Sequence, residues 1–321
     1  MKTPFLTLFL AAALFCGSSI ASNTHFANQP TVKKFIAEMA HKHHFTQSEL
    51  ITLFNQVKIK PDIMRSIRMP LEKKPWYTYQ MLFVTEWRIR EGVLFWNKYH
   101  DVLEKAEKTY GVPASIIVAT IGIETKYGQH TGNYRVIDAL SNIAFSNSSR
   151  APFFRKELEE FLLLAREQHL NPLKLKGSYA GAIGQPQFMP SSYRRYAINF
   201  SGNSTIDLSH DEVDVIGSIA NYYNKHGWKP DQPIALRTSL QGKKYAFLEE
   251  SKANLADYSI EVPSAQKAKL IELQNYFGRE YWLSFHNFDV IKRYNSSDLY
   301  AMAVYQLSYY ISMLKGKTAH D

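Results

Sequence analysis

The chain has 321 residues, of which 45% are hydrophobic and 21% are charged, and 38 Lys and Arg against 29 Asp and Glu give a net charge of +9. Beyond the N-terminus no segment supplies the roughly 20 consecutive apolar residues of a membrane-spanning helix, which excludes an integral membrane protein there. The basic surface indicates an acidic polymer as partner, and the lack of a dense Lys/Arg run argues against a nucleic-acid-binding arm.

Residues 1–21 have the pattern of a secretory signal. Lys2 is followed by an apolar run over 4–15 and by Ser19-Ile20-Ala21, the small-x-small pattern of a signal-peptidase site. The run is short for a membrane anchor, so we expect cleavage at its end and a free periplasmic protein. The alternative is an outer-membrane lipoprotein through Cys16, the only cysteine, although an aromatic residue precedes it where a small one is usual. For an exported protein, the carboxylated cell wall or anionic lipid is the expected acidic partner.

Residues 22–75 are predicted to form an N-terminal helical region. Apolar residues recur at helical spacing over Thr31–Met39 and Ser48–Phe54, each after Ser or Thr cap candidates. Three prolines then break the stretch into loops: Pro61, Pro70 and Pro75. A further helical segment contains Val93–Trp96.

Four more helices are predicted after residue 113. The segment Ala114–Tyr127 is almost entirely apolar in its first turns and is expected to end at Gly128, a typical residue just past a helix C-terminus. The other three are Phe154–Ala165, Glu212–His226 and Asp298–Leu314.

The periodicity changes to two between the last two helices. Apolar residues alternate over 234–240, 258–262 and 281–285, which indicates strands. The chain is therefore predicted to be mainly α (α+β), with a core over 76–230, a small β-containing insert over 231–290 and a C-terminal helix over 291–321 that returns to the core.

Glu124 is the first candidate catalytic residue. It follows the apolar run Ile116–Ile123, where loss of hydration should disfavour its charge, raise its pKa and leave it able to donate a proton near neutral pH. Taken alone, a Glu at the end of a helix is more often a surface or paired residue.

A second segment strengthens the case for a carbohydrate site. Residues 176–193 are rich in Gly, Ser and Gln, which allow close backbone approach and offer neutral hydrogen bonds to sugar hydroxyls and acetamides.

Together, Ile121–Gly128, Gly181–Tyr193 and Ala220–Tyr222 closely resemble the lytic murein transglycosylase B family. The resemblance runs from about Trp76 to the C-terminal helix, and the first helices and the β insert match more loosely. It implies a helical core like that of goose-type lysozyme, an added N-terminal helical domain and a small β domain.

The resemblance also implies a reaction: lytic cleavage of the β-1,4 bond between N-acetylmuramic acid and N-acetylglucosamine, which leaves a 1,6-anhydromuramyl end. Glu124 matches the catalytic Glu, first as acid and then as base. Ordinary glycosidases use two carboxylates, and the sequence presents no second acid in a comparable motif.

Other positions carry over one at a time. Ser178 and Gln187 match polar residues that line the cleft beside the catalytic Glu. Five more match residues around the cleaved bond or the acetamides: Tyr79, Tyr222, Tyr294, Asn295 and Tyr300. In a chain with 20 Tyr, each tyrosine has the alternative of a core or surface ring.

The family also has a calcium loop like that of an EF-hand, from which this sequence departs. Asn199, Ser201 and Asn203 occupy the corresponding positions, with Asp214 further on. Asn replaces a charged ligand at two of these positions, and Ser204 stands in place of the usual Gly. The loop is expected to fold without metal, and no cofactor is expected to be required.

Two other functions remain open from the sequence. A hydrolytic muramidase would act on the same bond but needs a group that positions water, and a non-catalytic peptidoglycan-binding protein would have no use for a costly buried acid. We expect a monomer that binds peptidoglycan strands and not nucleic acid, with weak association with a membrane surface as an option.

Overall fold

The computed structural model describes residues 25–67, 73–238 and 268–318. The predicted signal segment with Cys16, Pro70 and the alternating stretch over 258–262 lie outside these ranges. The described chain is mainly helical with two small sheets, which confirms the predicted fold class. Its α-helices are α1 (Pro30–His43), α2 (Gln47–Phe54), α3 (Pro61–Ile67), α4 (Trp76–Phe83), α5 (Glu86–Lys98), α6 (His100–Tyr110), α7 (Ala114–Thr125), α8 (Val136–Ala144), α9 (Ala151–Glu167), α10 (Pro190–Tyr196), α11 (Glu212–Lys225), α12 (His286–Ile291) and α13 (Asp298–Thr318).

The described residues fall into two compact units, one ending at Gln56 and the other beginning at Val57. The first contains a short 3₁₀ helix (Phe26–Asn28), α1 and α2. Its core includes Phe35 and Phe54, whose rings meet edge to face with centroids 5.9 Å apart. The domain boundaries predicted from the sequence stay predictions.

Helix α7 forms the centre of the second unit. Ten of its twelve residues are buried, and it packs against α5, α6, α11 and α13. A helix that is apolar all round is stable only when other elements cover every face. The hydroxyl groups of Thr120 on α7 and Tyr223 on α11 satisfy each other inside this core at 2.9 Å.

The two sheets are small and antiparallel. Strands β1 (Tyr134–Arg135) and β2 (Lys176–Gly177) pair in the first. The second has the order β3-β5-β4, formed by β3 (Ala235–Thr238), β4 (Lys269–Asn275) and β5 (Gly278–Ser284).

The predicted alternation over 234–240 and 281–285 overlaps β3 and β5, with residues 239 and 240 outside the described ranges, but β4 was not predicted. In β4 the consecutive apolar residues Leu270 and Ile271 obscure the alternation, although Ile271 and Leu273 are the residues that the strand buries. None of the helices in the described ranges combines the length and apolar character that crossing a bilayer requires.

Candidate active site

Glu124 lies in the last turn of α7 and is partly buried. Its Oε1 atom accepts a hydrogen bond of 2.6 Å from the hydroxyl of Tyr300, which is 2% exposed and lies in the first turn of α13. Because a hydrogen bond to a carboxylate is about twice as strong as a neutral one, this contact fixes the orientation of the carboxyl group. The packing of α13 on α7 thus brings together two of the predicted site residues.

Three tyrosine rings extend from Glu124 in a continuous row. The rings of Tyr300 and Tyr294 are stacked, with centroids 6.2 Å apart, and the Tyr222 ring follows at 4.8 Å from Tyr294. Their positions are fixed because the Tyr294 hydroxyl donates to the carbonyl of Pro186 at 2.5 Å and the Tyr222 hydroxyl to that of Arg293 at 2.6 Å. The structure therefore groups Tyr222, Tyr294 and Tyr300 with Glu124.

These phenols remain neutral over the physiological pH range. Burial raises the pKa of Tyr222, Tyr294 and Tyr300, and the negative charge of Glu124 raises each pKa further. Tyr223, behind the row, behaves in the same way. Tyr294 is partly exposed, whereas the rings of Tyr222 and Tyr300 are buried, at 6% and 2% exposure. The row therefore places neutral aromatic side chains beside the carboxyl group of Glu124.

The backbone after Glu124 differs from the prediction. Helix α7 ends at Thr125, and Lys126, Tyr127 and Gly128 are all left-handed, with φ of 51°, 57° and 83°. The expected helical residues up to Tyr127 were wrong because side chains hold this turn: the Tyr127 hydroxyl donates to the carbonyl of Arg88 at 2.6 Å, and Thr125 Oγ1 accepts from the Gly128 amide at 3.1 Å. Left-handed backbone costs about 1–2 kcal/mol at a residue other than Gly, so these contacts must offset strain next to Glu124.

Arg88 is a site-supporting residue that the sequence analysis missed. It is 6% exposed, and its guanidinium group donates to the carbonyls of Gly122 at 2.9 Å and Leu82 at 2.7 Å. Burial lowers its pKa. Its position in the sequence could have predicted its burial, since Arg88 lies four positions before Gly92 and seven before Phe95, on the same buried face of α5.

The Gly-rich segment packs against this turn. The carbonyl of Gln185 accepts from Thr125 Oγ1 at 3.0 Å, and the next residue's carbonyl accepts from Tyr294. The backbone of Gln187 is left-handed, with φ of 51°. Its side-chain Nε2 group donates to the carbonyls of Thr131 at 3.1 Å and Gly184 at 2.8 Å. The hydroxyl oxygen of Ser178 accepts from two amides of its own loop, those of Ala180 and Ala182.

Two predicted residues have contacts of another kind. Tyr79 is 2% exposed and packs on Phe83, with ring centroids 4.5 Å apart, as a core ring would. Asn295 follows Tyr294 directly, and its side-chain oxygen accepts from the amide of Ser297 at 3.2 Å, before α13 begins. Their proposed contacts with substrate, like those of Ser178 and Gln187, stay predictions.

We expect Tyr300→Phe to lower kcat by about 10- to 100-fold, because a hydrogen bond to a charged group contributes about 1.5–3 kcal/mol. Tyr305→Phe is the matched control: it lies on the same helix and donates to the backbone carbonyl of Ala235 at 3.0 Å. Steady-state cleavage rates and melting temperatures of both variants distinguish a loss of catalysis from a loss of stability. Equal rates for the two variants would show that the contact with Glu124 has no part in the reaction.

The residues at the positions of the family's calcium loop do not fit a calcium ion. Asp214 is fully buried, and its two oxygens already accept hydrogen bonds from the amides of Phe200, Ser201 and Asp207, at 2.8, 2.9 and 3.1 Å. The side-chain oxygen of Asn199 accepts from the amide of Gly202 at 2.7 Å. Calcium takes six to eight oxygen ligands, several of them carboxylates, whereas Asn199, Ser201 and Asn203 are neutral and the Asp214 carboxylate already accepts three backbone N–H groups.

The side-chain amides complete this arrangement. The Asn203 Nδ2 group donates to Asp211 at 2.8 Å, and that of Asn199 donates to the carbonyl of Asn203. Across the described ranges, no group of three or more His, Cys, Asp and Glu side chains is arranged to hold a metal ion. That this loop folds without metal stays a prediction.

Removal of calcium is therefore expected to leave the protein unchanged. A ligand present at 100 times its Kd stabilises a fold by about 2.7 kcal/mol, which shifts the Tm of a chain of this size by several degrees. We expect the same Tm in EDTA and in millimolar calcium, measured by calorimetry. A rise in Tm that grows with calcium concentration would contradict the hydrogen-bonded loop.

The chain is similar to known lytic transglycosylases over most of its length. The model of the transglycosylase SLT domain matches residues 27–309. The membrane-bound lytic murein transglycosylase B of Escherichia coli (strain K12) is 39% identical over 308 residues, which are 90% of this chain and 85% of that protein.

Solved structures of related enzymes have the same fold. The soluble lytic transglycosylase SltB1 from Pseudomonas aeruginosa superposes with a TM-score of 0.82 at 44% identity, covering 89% of this chain and 100% of that one. The Escherichia coli lytic transglycosylase Slt35 in complex with calcium superposes with a TM-score of 0.83 at 38% identity, covering 92% and 98%.

Proposed function

Because the chain belongs to the transglycosylase SLT domain family, we propose that it cleaves peptidoglycan as a lytic transglycosylase in which Glu124 acts first as acid and then as base. The substrate bond is the β-1,4 bond between N-acetylmuramic acid and N-acetylglucosamine, and the product is a 1,6-anhydromuramyl end. The observation that carries the proposal is the position of the Glu124 carboxyl group, which is held by Tyr300 at the end of a buried helix and beside a row of tyrosine rings.

The first step breaks the glycosidic bond. Glu124, protonated, donates its proton to the glycosidic oxygen, and the acetamide oxygen of the muramyl residue forms a bond to C1 as the leaving sugar departs. Glu124 is then a carboxylate, and the hydrogen bond from Tyr300 stabilises that charge. One positioned acid/base contributes about 10²–10⁴-fold to the rate.

The second step closes the anhydro ring. The C6 hydroxyl of the same muramyl residue attacks C1, the acetamide leaves, and the Glu124 carboxylate takes the hydroxyl proton. Glu124 returns to its protonated form, and no water is consumed. A single carboxyl group is sufficient because the substrate supplies both nucleophiles, whereas ordinary glycosidases need a second carboxylate.

The origin of the oxygen at the new muramyl end tests this proposal. We expect no heavy oxygen in the product when sacculi are digested in water enriched in the heavy isotope, because the C6 hydroxyl closes the ring. Incorporation of one heavy oxygen per cleavage would identify a hydrolytic muramidase. Binding to sacculi without release of any fragment would leave a peptidoglycan-binding protein.

We propose that the protein acts in the periplasm after removal of residues 1–21, as a monomer on glycan strands. Association with the membrane surface would be weak unless Cys16 is lipidated. No nucleic acid and no cofactor enters the proposal. Mass spectrometry of the mature N-terminus distinguishes cleavage after Ala21 from a lipidated Cys16.

A further inference from the structure

The row of rings that starts at Glu124 continues beyond Tyr222 and ends in basic side chains. The imidazole of His226 stacks on the Tyr222 ring, with centroids 4.0 Å apart, and the Tyr196 ring lies 4.8 Å from the imidazole. The guanidinium carbon of Arg195 is 5.9 Å from the Tyr196 ring centroid, and the Arg293 carbonyl accepts from the Tyr222 hydroxyl. We call Arg195, His226 and Arg293 the basic cluster.

The two arginines of the basic cluster carry free positive charge. Neither forms an ion pair with a carboxylate in the described part of the chain, and both are exposed. The neighbouring residue gives the contrast, because Arg194 is bound by both Glu160 and Glu167. The carboxylates of α9 therefore neutralise Arg194, whereas the charge of Arg195 stays available beside the row of rings.

His226 lies within the electrostatic influence of both arginines. Burial lowers its pKa, and the positive charges of Arg293 and Arg195 lower it further. The ring is therefore neutral near pH 7, with Nδ1 donating to the carbonyl of Tyr222 at 2.7 Å. The basic cluster therefore carries two positive charges. It lies next to the Tyr222 ring, whose pKa the negative charge of Glu124 raises.

We propose that the basic cluster is a subsite for the carboxylates of the peptide stem on a muramyl residue of the bound glycan strand. The proposal rests on the proposed function, since it assumes that the row of tyrosines binds peptidoglycan. Guanidinium groups bind carboxylates with paired hydrogen bonds, and the stem is the anionic part of this substrate. The sugars would lie beside Glu124 and the partly exposed Tyr294, and the stem would reach the exposed Arg195 and Arg293 at the far end of the row.

The test compares binding of two substrates: soluble glycan strands with intact stems, and the same strands after an amidase has removed the stems. Affinity is measured in a Glu124→Gln background so that no cleavage occurs. We expect Arg195→Gln/Arg293→Gln to weaken binding of stem-bearing strands by about tenfold, the effect of losing one charged hydrogen-bonded pair, and to leave binding of stripped strands unchanged. The control is Lys33→Gln/Lys34→Gln on α1, which removes the same charge in the other unit.

Equal losses on both substrates, or equal losses in the two double variants, would overturn the subsite, because general attraction to an anionic polymer would then explain the result. Failure of the proposed function has a different signature: the chain with Glu124 intact would release no anhydromuramyl fragments, whatever the two double variants bind. Both arginines are exposed, so the variants should melt at the temperature of the parent chain, which a thermal scan verifies.

Discussion

Glu124→Gln is expected to lower kcat for release of fragments from sacculi by about 10²–10⁴-fold or more, while binding to sacculi and the melting temperature stay close to native values. Glutamine keeps the size of the side chain and can still accept the hydrogen bond from Tyr300. It has no proton to donate to the glycosidic oxygen and cannot take one from the C6 hydroxyl. The loss should therefore appear in kcat, with little change in KM.

Glu157→Gln provides the matched control. Glu157 is 3% exposed, burial raises its pKa, and its carboxyl group accepts from the amide and the hydroxyl of Ser191 at 3.0 and 2.7 Å. Its replacement should cost about 1–3 kcal/mol of stability and leave kcat nearly native. If Glu124→Gln kept more than a tenth of the native kcat, another group would have to be the acid.

Gly122→Ala is expected to destabilise the fold by about 1–3 kcal/mol and to lower kcat sharply. A Cβ atom at Gly122 would lie 2.5 Å from the Tyr127 hydroxyl oxygen. That hydroxyl cannot move freely, because it donates a hydrogen bond to the Arg88 carbonyl. The Tyr127 ring is also packed against Phe95, with ring centroids 5.6 Å apart. Movement of the turn would displace Glu124, and an error of about 1 Å in a catalytic group can cost 10²-fold in rate.

The control for Gly122→Ala is the same change at Gly316. Gly316 is also helical, but a Cβ atom there would meet nothing within 4 Å. Alanine in an open helical position should stabilise the fold by about 0.5–1 kcal/mol. Opposite signs of the two changes in the free energy of unfolding, measured in urea, support a tightly packed turn beneath Glu124. Similar small gains in both variants would contradict it.

Local patterns predicted the helices α1, α2, α5, α7, α9, α11 and α13. The catalytic role of Glu124 came from the family resemblance and stays a prediction. The apolar stretch before Glu124 required a buried helix, and the burial of α7 on all sides confirms this. The predicted helix Glu212–His226 corresponds to α11, which ends at Lys225 and is followed by a left-handed Gly227. These features depend on neighbours within a few positions in the sequence.

The contacts that shape the candidate site depend on distant residues. Tyr300 is 176 positions from Glu124, and its hydrogen bond exists because α13 packs on α7. The left-handed turn at Lys126 and Tyr127 arises from the Arg88 carbonyl, 39 positions earlier, which overrides the preference for continuing the helix up to Gly128. No local pattern encodes such pairs, so the sequence named Glu124 and Tyr300 as candidates but could not predict the hydrogen bond between them.

The most direct test of the central claim is mass spectrometry of the muropeptides that the mature protein releases from purified sacculi, with Glu124→Gln alongside. The proposed mechanism predicts that every new muramyl end is an anhydro end, one water lighter than a reducing end and resistant to borohydride, and that the variant forms essentially none. Reducing ends from the native protein, or anhydro ends from the variant at the native rate, would contradict the lytic mechanism through Glu124.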